Sequence, residues 1–369
     1  MKITDIQLGH LSVPLKTPFK TALRTVTHVD DVLVKIHTDT GTIGYGSAAP
    51  TAEITGDTKT SITTAIRGPI RKQLMGLSIE QFEKVMVHLD TSLAGNTSAR
   101  AAVDIALYDL YGKFHRVPLY KLLGGSQKEL TTDITISVND PEEMVRDSLD
   151  AANRGFTILK LKVGKDPDKD IERLHQVWER TGHTIKLRLD ANQGWTPQEA
   201  VYVMQKVEDA GIRIELVEQP VKAHDLDGLQ FVKDHISIPV VADESAFSPE
   251  DVYKIIQMGA ADLINIKLMK TGGIHNALKI CAMAENAGIE CMIGCMLESK
   301  VSVTAAAHLA AAKSIITRYD LDAPILCRED PIEGGAQYKI CLLYTSPSPR
   351  DARKYLVCRL LLDKRGGGG

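Results

Sequence analysis

Apolar and polar residues alternate with a period of two over the first 60 residues: Ile6 and Leu8, then Leu11, Val13 and Leu15, then Val32, Val34 and Ile36. That period predicts half-buried strands, with Gly41 and Gly44 to Gly46 as turn material between or after them. Between 60 and 125 the spacing changes to a helical one, seen at Ala102, Ile105, Ala106, Leu107 and Leu110. An antiparallel sheet followed by helices predicts an α+β domain over 1–125. From about residue 131, short apolar runs alternate with amphipathic stretches. The runs are Thr135–Val138, Ile158–Val163, Ile185–Leu189, Ile214–Val217, Pro239–Ala242, Leu263–Ile266, Cys291–Ile293 and Ile315–Tyr319. Eight strands, each followed by roughly one helix, suggest a closed parallel α/β barrel over 126–322. An open doubly wound sheet is the alternative, but it would carry a glycine-rich phosphate turn after its first strand, and none is present.

Composition fits this picture without sharpening it. The chain has 369 residues, 44% of them hydrophobic and 25% charged, enough for a barrel-sized core and a smaller companion domain. Its net charge of −3 suggests no attraction to nucleic acid or to an anionic membrane. The six cysteines lack zinc-site or secreted-framework spacing and read as reduced thiols. The Met1–Asp5 start does not resemble a signal peptide and no apolar run is long enough to span a bilayer, so a cytoplasmic protein is expected.

The last 29 residues differ. Residues 341–369 hold six Lys/Arg and two Asp, a net of +4, with Ser/Pro alternation over Ser346–Pro349 and a Gly366–Gly369 terminus. Such a stretch suggests a foreign or frameshifted tail, testable by whether the mass of the natural protein includes it.

Charged residues recur at the ends of consecutive predicted strands, where barrel enzymes assemble their chemistry. Lys160 and Lys162 end the second strand, Asp190 the third, Glu218 the fourth, Asp243 the fifth and Lys267 the sixth. From Lys162 onwards they are 28, 28, 25 and 24 residues apart. One βα unit per step gathers them around one mouth. Asp190, Glu218 and Asp243 are three hard oxygen donors on adjacent strands, a set suited to Mg2+; each alone reads equally as a helix cap. Lys160 and Lys162 share one strand face, and a parallel barrel covers both faces of its strands. Lys267, four strands round from Lys162, stands on the opposite side. Two lysines facing each other across a metal suit proton transfer at both faces of a carbon, as in racemisation, provided desolvation and neighbouring cations lower one pKa. Lys160 would add positive charge beside the enolate formed when an α-proton next to a carboxylate leaves.

These residues sit within Asp190-Ala191-Asn192, Val217-Glu218-Gln219-Pro220, Ala242-Asp243-Glu244-Ser245 and Lys267-Leu268-Met269-Lys270-Thr271-Gly272-Gly273. Together the motifs resemble the enolase superfamily, in its muconate lactonizing enzyme subgroup, over about residues 1–340. The resemblance implies an α+β capping domain over a modified (β/α)7β TIM-type barrel, with 323–340 returning towards the cap. It also implies Mg2+ on Asp190, Glu218 and Asp243, with Lys162 and Lys267 as the acid/base pair and Lys160 as their electrostatic partner. Within the subgroup the sequence is most similar to the L-Ala-D/L-Glu (dipeptide) epimerases. That similarity makes Arg24, in Thr17–Arg24, a partner for a glutamate side chain. It gives Asp320 and Asp322 to the substrate ammonium and makes Thr135 and Met296 substrate contacts. A homo-oligomer and a role in recycling cell-wall peptide are further expectations. N-acylamino-acid racemases, o-succinylbenzoate synthases and muconate cycloisomerases share the lysines and metal but have no need for Asp320 and Asp322. A non-catalytic, carboxylate-binding barrel is the remaining alternative. Cys295 is not read as a nucleophile, because no histidine lies nearby in sequence and the lysine chemistry needs no thiol.

Overall fold

A computed structural model describes residues 1–126 and 129–344, with the backbone alone for Tyr344 and for 358–360. Strands β1 (Ile3–Lys20), β2 (Thr25–Thr38) and β3 (Ile43–Ala48) form an antiparallel meander. Pairing Leu11 with Asp31 and Val13 with Val29 turns the alternating apolar residues to one buried face. The structure corrects the expectation for Gly44 to Gly46, which lie inside β3, while Gly41 alone makes the turn with φ of 76°. The cause lies elsewhere in the chain. The helix Thr97–His115 packs so closely on β3 that a Cβ at Gly44 would stand 2.3 Å from the Ala106 carbonyl oxygen. At Gly46 it would stand 1.9 Å from that of Ala102. Small residues on both partners bring the two backbones together.

After β4 (Glu129–Thr131) come the eight barrel strands: β5 (Ile134–Ile136), β6 (Ile158–Lys162), β7 (Lys186–Asp190), β8 (Ile214–Glu218), β9 (Val240–Ala242), β10 (Leu263–Lys267), β11 (Glu290–Gly294) and β12 (Ile316–Asp320). They pair in parallel and strictly in sequence, so there is no reversal point of the kind a doubly wound sheet needs. Between β12 and β5 the seam is held by Leu321 N donating to Thr132 Oγ1 at 2.8 Å and Thr135 N donating to Asp322 Oδ2 at 2.7 Å. Long helices follow the first seven strands, whereas β12 is followed by only the four-residue helix Ala323–Leu326, which is the (β/α)7β pattern. On β6, Leu159 and Leu161 are fully buried beneath the helices, each contributing roughly 1.5–3 kcal/mol, while Lys160 and Lys162 point inward.

The chain then returns to the first sheet. Leu15 bridges Cys327, Arg328 N donates to the Pro14 carbonyl at 2.9 Å, and Lys16 Nζ donates to that of Ile325 at 2.7 Å. Strands β13 (Ile332–Gly334), β14 (Gln337–Lys339) and β15 (Leu342–Tyr344) follow. β15 pairs with both β14 and β4, and β13 with β16 (Cys358–Leu360). Of the segment expected to be foreign, 345–357 and 361–369 lie outside the described residues, including the Ser/Pro alternation and the glycine terminus.

Two buried carboxylates of the N-terminal region cap barrel helices. Asp104 accepts from Ile274 N at 2.6 Å and His275 N at 3.1 Å, at the start of the helix Ile274–Ala287. Asp31 accepts from Ser299 N at 2.9 Å, at the start of Lys300–Ala312. Each satisfies helix amides that nothing within the helix can, and thereby ties the first sheet and its helix to the barrel. No helix among the described residues is long and apolar enough to cross a membrane, and the five cysteines whose side chains are described are free.

Candidate active site

The C-terminal ends of the barrel strands converge under the first sheet on one pocket. Lys160, Lys162, Lys267, Asp320 and Asp322 line it from the barrel, with Thr135, Asn192, Cys295 and Met296. Phe19, Arg24 and Ile54 line it from above. Lys162 on β6 and Lys267 on β10 are four strands apart in a ring of eight, and so face each other across it.

Asp190, Glu218 and Asp243 lie just beneath, fully buried. Lys160 Nζ is 3.0 Å from Asp190 Oδ2, 2.7 Å from Glu218 Oε2 and 2.7 Å from Asp320 Oδ2. Lys162 Nζ is 2.6 Å from Asp190 Oδ2, and Lys267 Nζ 2.6 Å from Asp243 Oδ2. The Lys160 ammonium thus sits between two of the three carboxylates, where a cation would bridge them. As they stand, no three His, Cys, Asp or Glu among the described residues are grouped at metal-site spacing.

Charge and donor chemistry nevertheless fit a dication. Around the barrel axis and mouth, seven carboxylates (Asp133, Asp190, Glu218, Asp243, Glu244, Asp320, Asp322) are buried with five cations (Lys160, Lys162, Arg188, Lys267, Lys270). Fully ionised, these groups would carry an excess of negative charge, which either a bound dication or protonation would relieve, since buried charge without a partner is costly. Glu218 Oε2 and Asp243 Oδ1 are also buried without a well-aligned hydrogen bond, although each has an ammonium nearby.

The pKa shifts follow from that balance. Burial, then the neighbouring Asp190, pushes Glu218 up to about 8, and burial with Asp243 pushes Glu244 up to about 7. Burial would raise Asp190 as well, but Lys160 and Lys162 override it and hold that carboxyl well below the usual range. Asp243 is held low against burial by Lys267 and Lys270. The expected lowering of a catalytic lysine is not found at Lys267. Burial does pull it down, but Asp243 and Glu218 outweigh burial and the neighbouring Lys160, so its pKa rises. Lys160 rises for the same reason, through Asp190 and Asp320. Burial and Asp320 push Asp322 up to about 6 while it accepts from Thr135 N. Cys295 is driven well up by burial, then by Asp320.

The amides that brace these groups escaped the sequence reading. Gln219 follows Glu218 in the left-handed region, with φ of 38°. Its side-chain oxygen accepts from Asp243 N at 2.9 Å and Ser245 N at 3.0 Å, fixing the end of β9. Asn265 Nδ2 donates to Glu218 Oε1 at 2.8 Å, and Asn192, with φ of 43°, donates to Glu244 Oε1 at 3.3 Å. Strained non-glycine backbone at the ends of β7 and β8 is what a site held by its surroundings looks like. Lys270, buried against Asp243, stands in the Lys267–Gly273 motif, which by itself gives it no role. Phe19, with Lys162 Nζ 5.7 Å from its ring centre, carried no signal beyond its loop.

Met296 N donates to Glu298 Oε1 at 3.1 Å, which holds the β11 loop against the pocket. Arg24 reaches the pocket but already has a partner, donating from Nη1 to Glu53 Oε2 at 3.0 Å.

Comparison with known proteins accords with this architecture. Residues 3–124 match the N-terminal domain of mandelate racemase/muconate lactonizing enzyme, and 143–340 an enolase C-terminal domain-like family. The L-Ala-D/L-Glu epimerase of Clostridium acetobutylicum is 61% identical over 338 residues, 92% of this chain and 94% of that protein. That of Bacillus subtilis is 50% identical, over 92% and 93%. Its substrate-liganded structure superposes with a TM-score of 0.94 at 48% identity, covering 97% of this chain and 99% of that one. The Enterococcus faecalis dipeptide epimerase, complexed with Mg and L-Leu-L-Tyr, gives 0.90 at 43%, covering 94% and 98%. The chain therefore belongs to the mandelate racemase/muconate lactonizing enzyme family of the enolase superfamily.

Proposed function

We propose that the protein is a Mg2+-dependent dipeptide epimerase of the L-Ala-D/L-Glu type, inverting the α-carbon of the second residue by 1,1-proton transfer. The observation that carries this reading is the pair Lys162 and Lys267 on opposite walls of one pocket whose far side holds Asp320 and Asp322. A free dipeptide offers an ammonium to the two aspartates and an α-carbon between the two lysines. Arg24 suits a carboxylate side chain. Thr135 and Met296 contact the substrate between these ends.

One lysine, as the free amine, removes the α-proton, and the other, as the ammonium, returns one to the opposite face; reversal exchanges their roles. Negative charge then develops on the substrate carboxylate, beside the Lys160 ammonium. Asp190, Glu218 and Asp243 are the residues that would hold Mg2+, which when bound supplies Lewis-acid stabilisation of that charge.

The test is incubation with Mg2+ and L-Ala-L-Glu in deuterium oxide, following the glutamate α-proton by NMR. Exchange with formation of the D-epimer is expected, and removal of Mg2+ with a chelator should abolish it. No exchange in a folded, Mg2+-binding protein would sink the reading. Activity on N-succinylamino acids instead would point to an acylamino-acid racemase and leave Asp320 and Asp322 without a substrate group to bind.

A further inference from the structure

Arg24 is held at two levels. Its backbone is fixed by Thr21, whose Oγ1 accepts from Leu23 N at 3.1 Å and from Arg24 N at 3.2 Å, while Thr21 N donates to the Arg24 carbonyl at 3.0 Å. Its side chain is fixed by Glu53, 29 residues away in the four-residue helix Ala52–Thr55. The two differ in exposure. The Arg24 side chain is 18% exposed and lines the pocket, whereas that of Glu53 is 45% exposed and does not line it. Glu53 therefore grips the guanidinium from behind.

The grip uses one nitrogen. Nη1 donates to Glu53, and Nε and Nη2 have no hydrogen-bond partner among the described residues. Those two nitrogens share the other edge of the planar fork, the edge that takes a carboxylate with two parallel hydrogen bonds. A free arginine side chain loses much rotamer freedom on binding a ligand, and a tether that imposes the bound orientation removes part of that cost beforehand.

We propose that Glu53 is a positioning residue for acidic substrates: by holding Arg24 through Nη1 it presents the Nε–Nη2 edge to the side-chain carboxylate of the dipeptide's second residue. This rests on the epimerase reading above. It makes the preference for an acidic second residue a property of two segments, one around Arg24 and one around Glu53, and not of Arg24 alone. The opposite role, a competitor that substrate must displace, would have Glu53 on the edge facing the pocket.

The test compares the wild type with Glu53→Ala and Glu53→Gln on L-Ala-L-Glu and L-Ala-L-Leu. Glu53 is far from the reacting carbon and its pair is partly exposed. The expected effect of Glu53→Ala is thus a rise of about three- to tenfold in KM for L-Ala-L-Glu, with kcat little altered and the KM for L-Ala-L-Leu unmoved. Glu53→Gln should restore the KM, because its amide oxygen can accept from Nη1. An unchanged or lower KM in Glu53→Ala overturns the proposal, and so does a Gln variant that behaves like the Ala variant. If the wild type turns over neither dipeptide, the functional reading fails separately. The tether is then read from phenylglyoxal modification of Arg24, followed by peptide mass. Faster modification in Glu53→Ala than in the wild type supports it, and equal rates overturn it.

Discussion

The barrel mouth and the segments that roof it hold their charged groups in opposite ways. Lys160, 1% exposed, is within 3.0 Å of three carboxylates, two of them ends of neighbouring strands and each fixed by its own β-ladder. Arg24 and Glu53 touch at a single point, from a turn and a one-turn helix, and Glu53 is 45% exposed. Buried groups with many partners keep their geometry to a fraction of an ångström, as proton transfer at carbon demands. A half-exposed pair is weak, adjustable and tolerant of substitution. On the proposed function, chemistry falls to the strands and selectivity to the roof, and substitutions in the two regions should therefore fail differently.

The largest expected effect is at the lysines. Lys162→Ala and Lys267→Ala should each lower kcat for epimerisation at least about 10³-fold, the range for removing a general acid or base. They should also differ from each other. Each variant should retain slow α-deuterium exchange with one epimer and lose it with the other, since the remaining lysine serves only one face. Equal loss with both epimers would mean that the lysines do not work on opposite faces.

Next is a substitution that moves a lysine without removing it. A Cβ at Gly294 would lie 2.9 Å from Lys267 Cε and 3.0 Å from Asn265 Oδ1, side-chain ends that can yield where backbone could not, the lysine more freely than the buried amide. Gly294→Ala should therefore fold normally but displace the amine, lowering kcat by roughly 10- to 100-fold with KM nearly unchanged. A fall in stability at full kcat would instead show the backbone yielding. Third is Gln219→Ala, which strands the Asp243 and Ser245 amides in a buried place. It should cost roughly 2–4 kcal/mol in urea denaturation and weaken Mg2+ binding by calorimetry, leaving the lysines in position.

Which of these residues the sequence reveals follows from how local their causes are. The strands are legible because burial on both faces leaves short apolar runs, and the strand-end charges because one βα unit separates them. Gly44 and Gly46 mislead because glycine is a turn signal only to a local reading; the reason for them is the helix around Ala102 and Ala106. Gln219 and Asn265 carry no periodic mark, since an amide that braces a carboxylate looks in sequence like any amide near a strand end. The pairing of Arg24 with Glu53 spans 29 residues and has no pattern to announce it. The pKa of Lys267 depends on the sum of surrounding charges: proximity to cations was readable, whereas the dominance of Asp243 and Glu218 was not.

A pH-dependent effect sharpens the comparison at the seam between roof and barrel, where a carboxylate is buried but has only helix amides for partners. Burial pushes Asp104 up to about 8, and the amides of Ile274 and His275 only partly offset this. With an ordinary value of 3.8 once unfolded, Asp104 binds its proton more tightly in the folded protein. The stability linked to that proton is complete below about pH 3.8 and is lost as pH rises towards about 8. Asp104→Asn keeps one acceptor oxygen and removes the titration. The lost second hydrogen bond should cost about 1 kcal/mol, and this cost should be outweighed as pH rises from 5 to 8, because only the natural protein loses the linked stability over that range. Urea midpoints for both proteins between pH 5 and 8 measure the difference directly. Parallel curves would mean that Asp104 is ionised throughout, held by the helix amides as firmly as the mouth carboxylates are held by lysine.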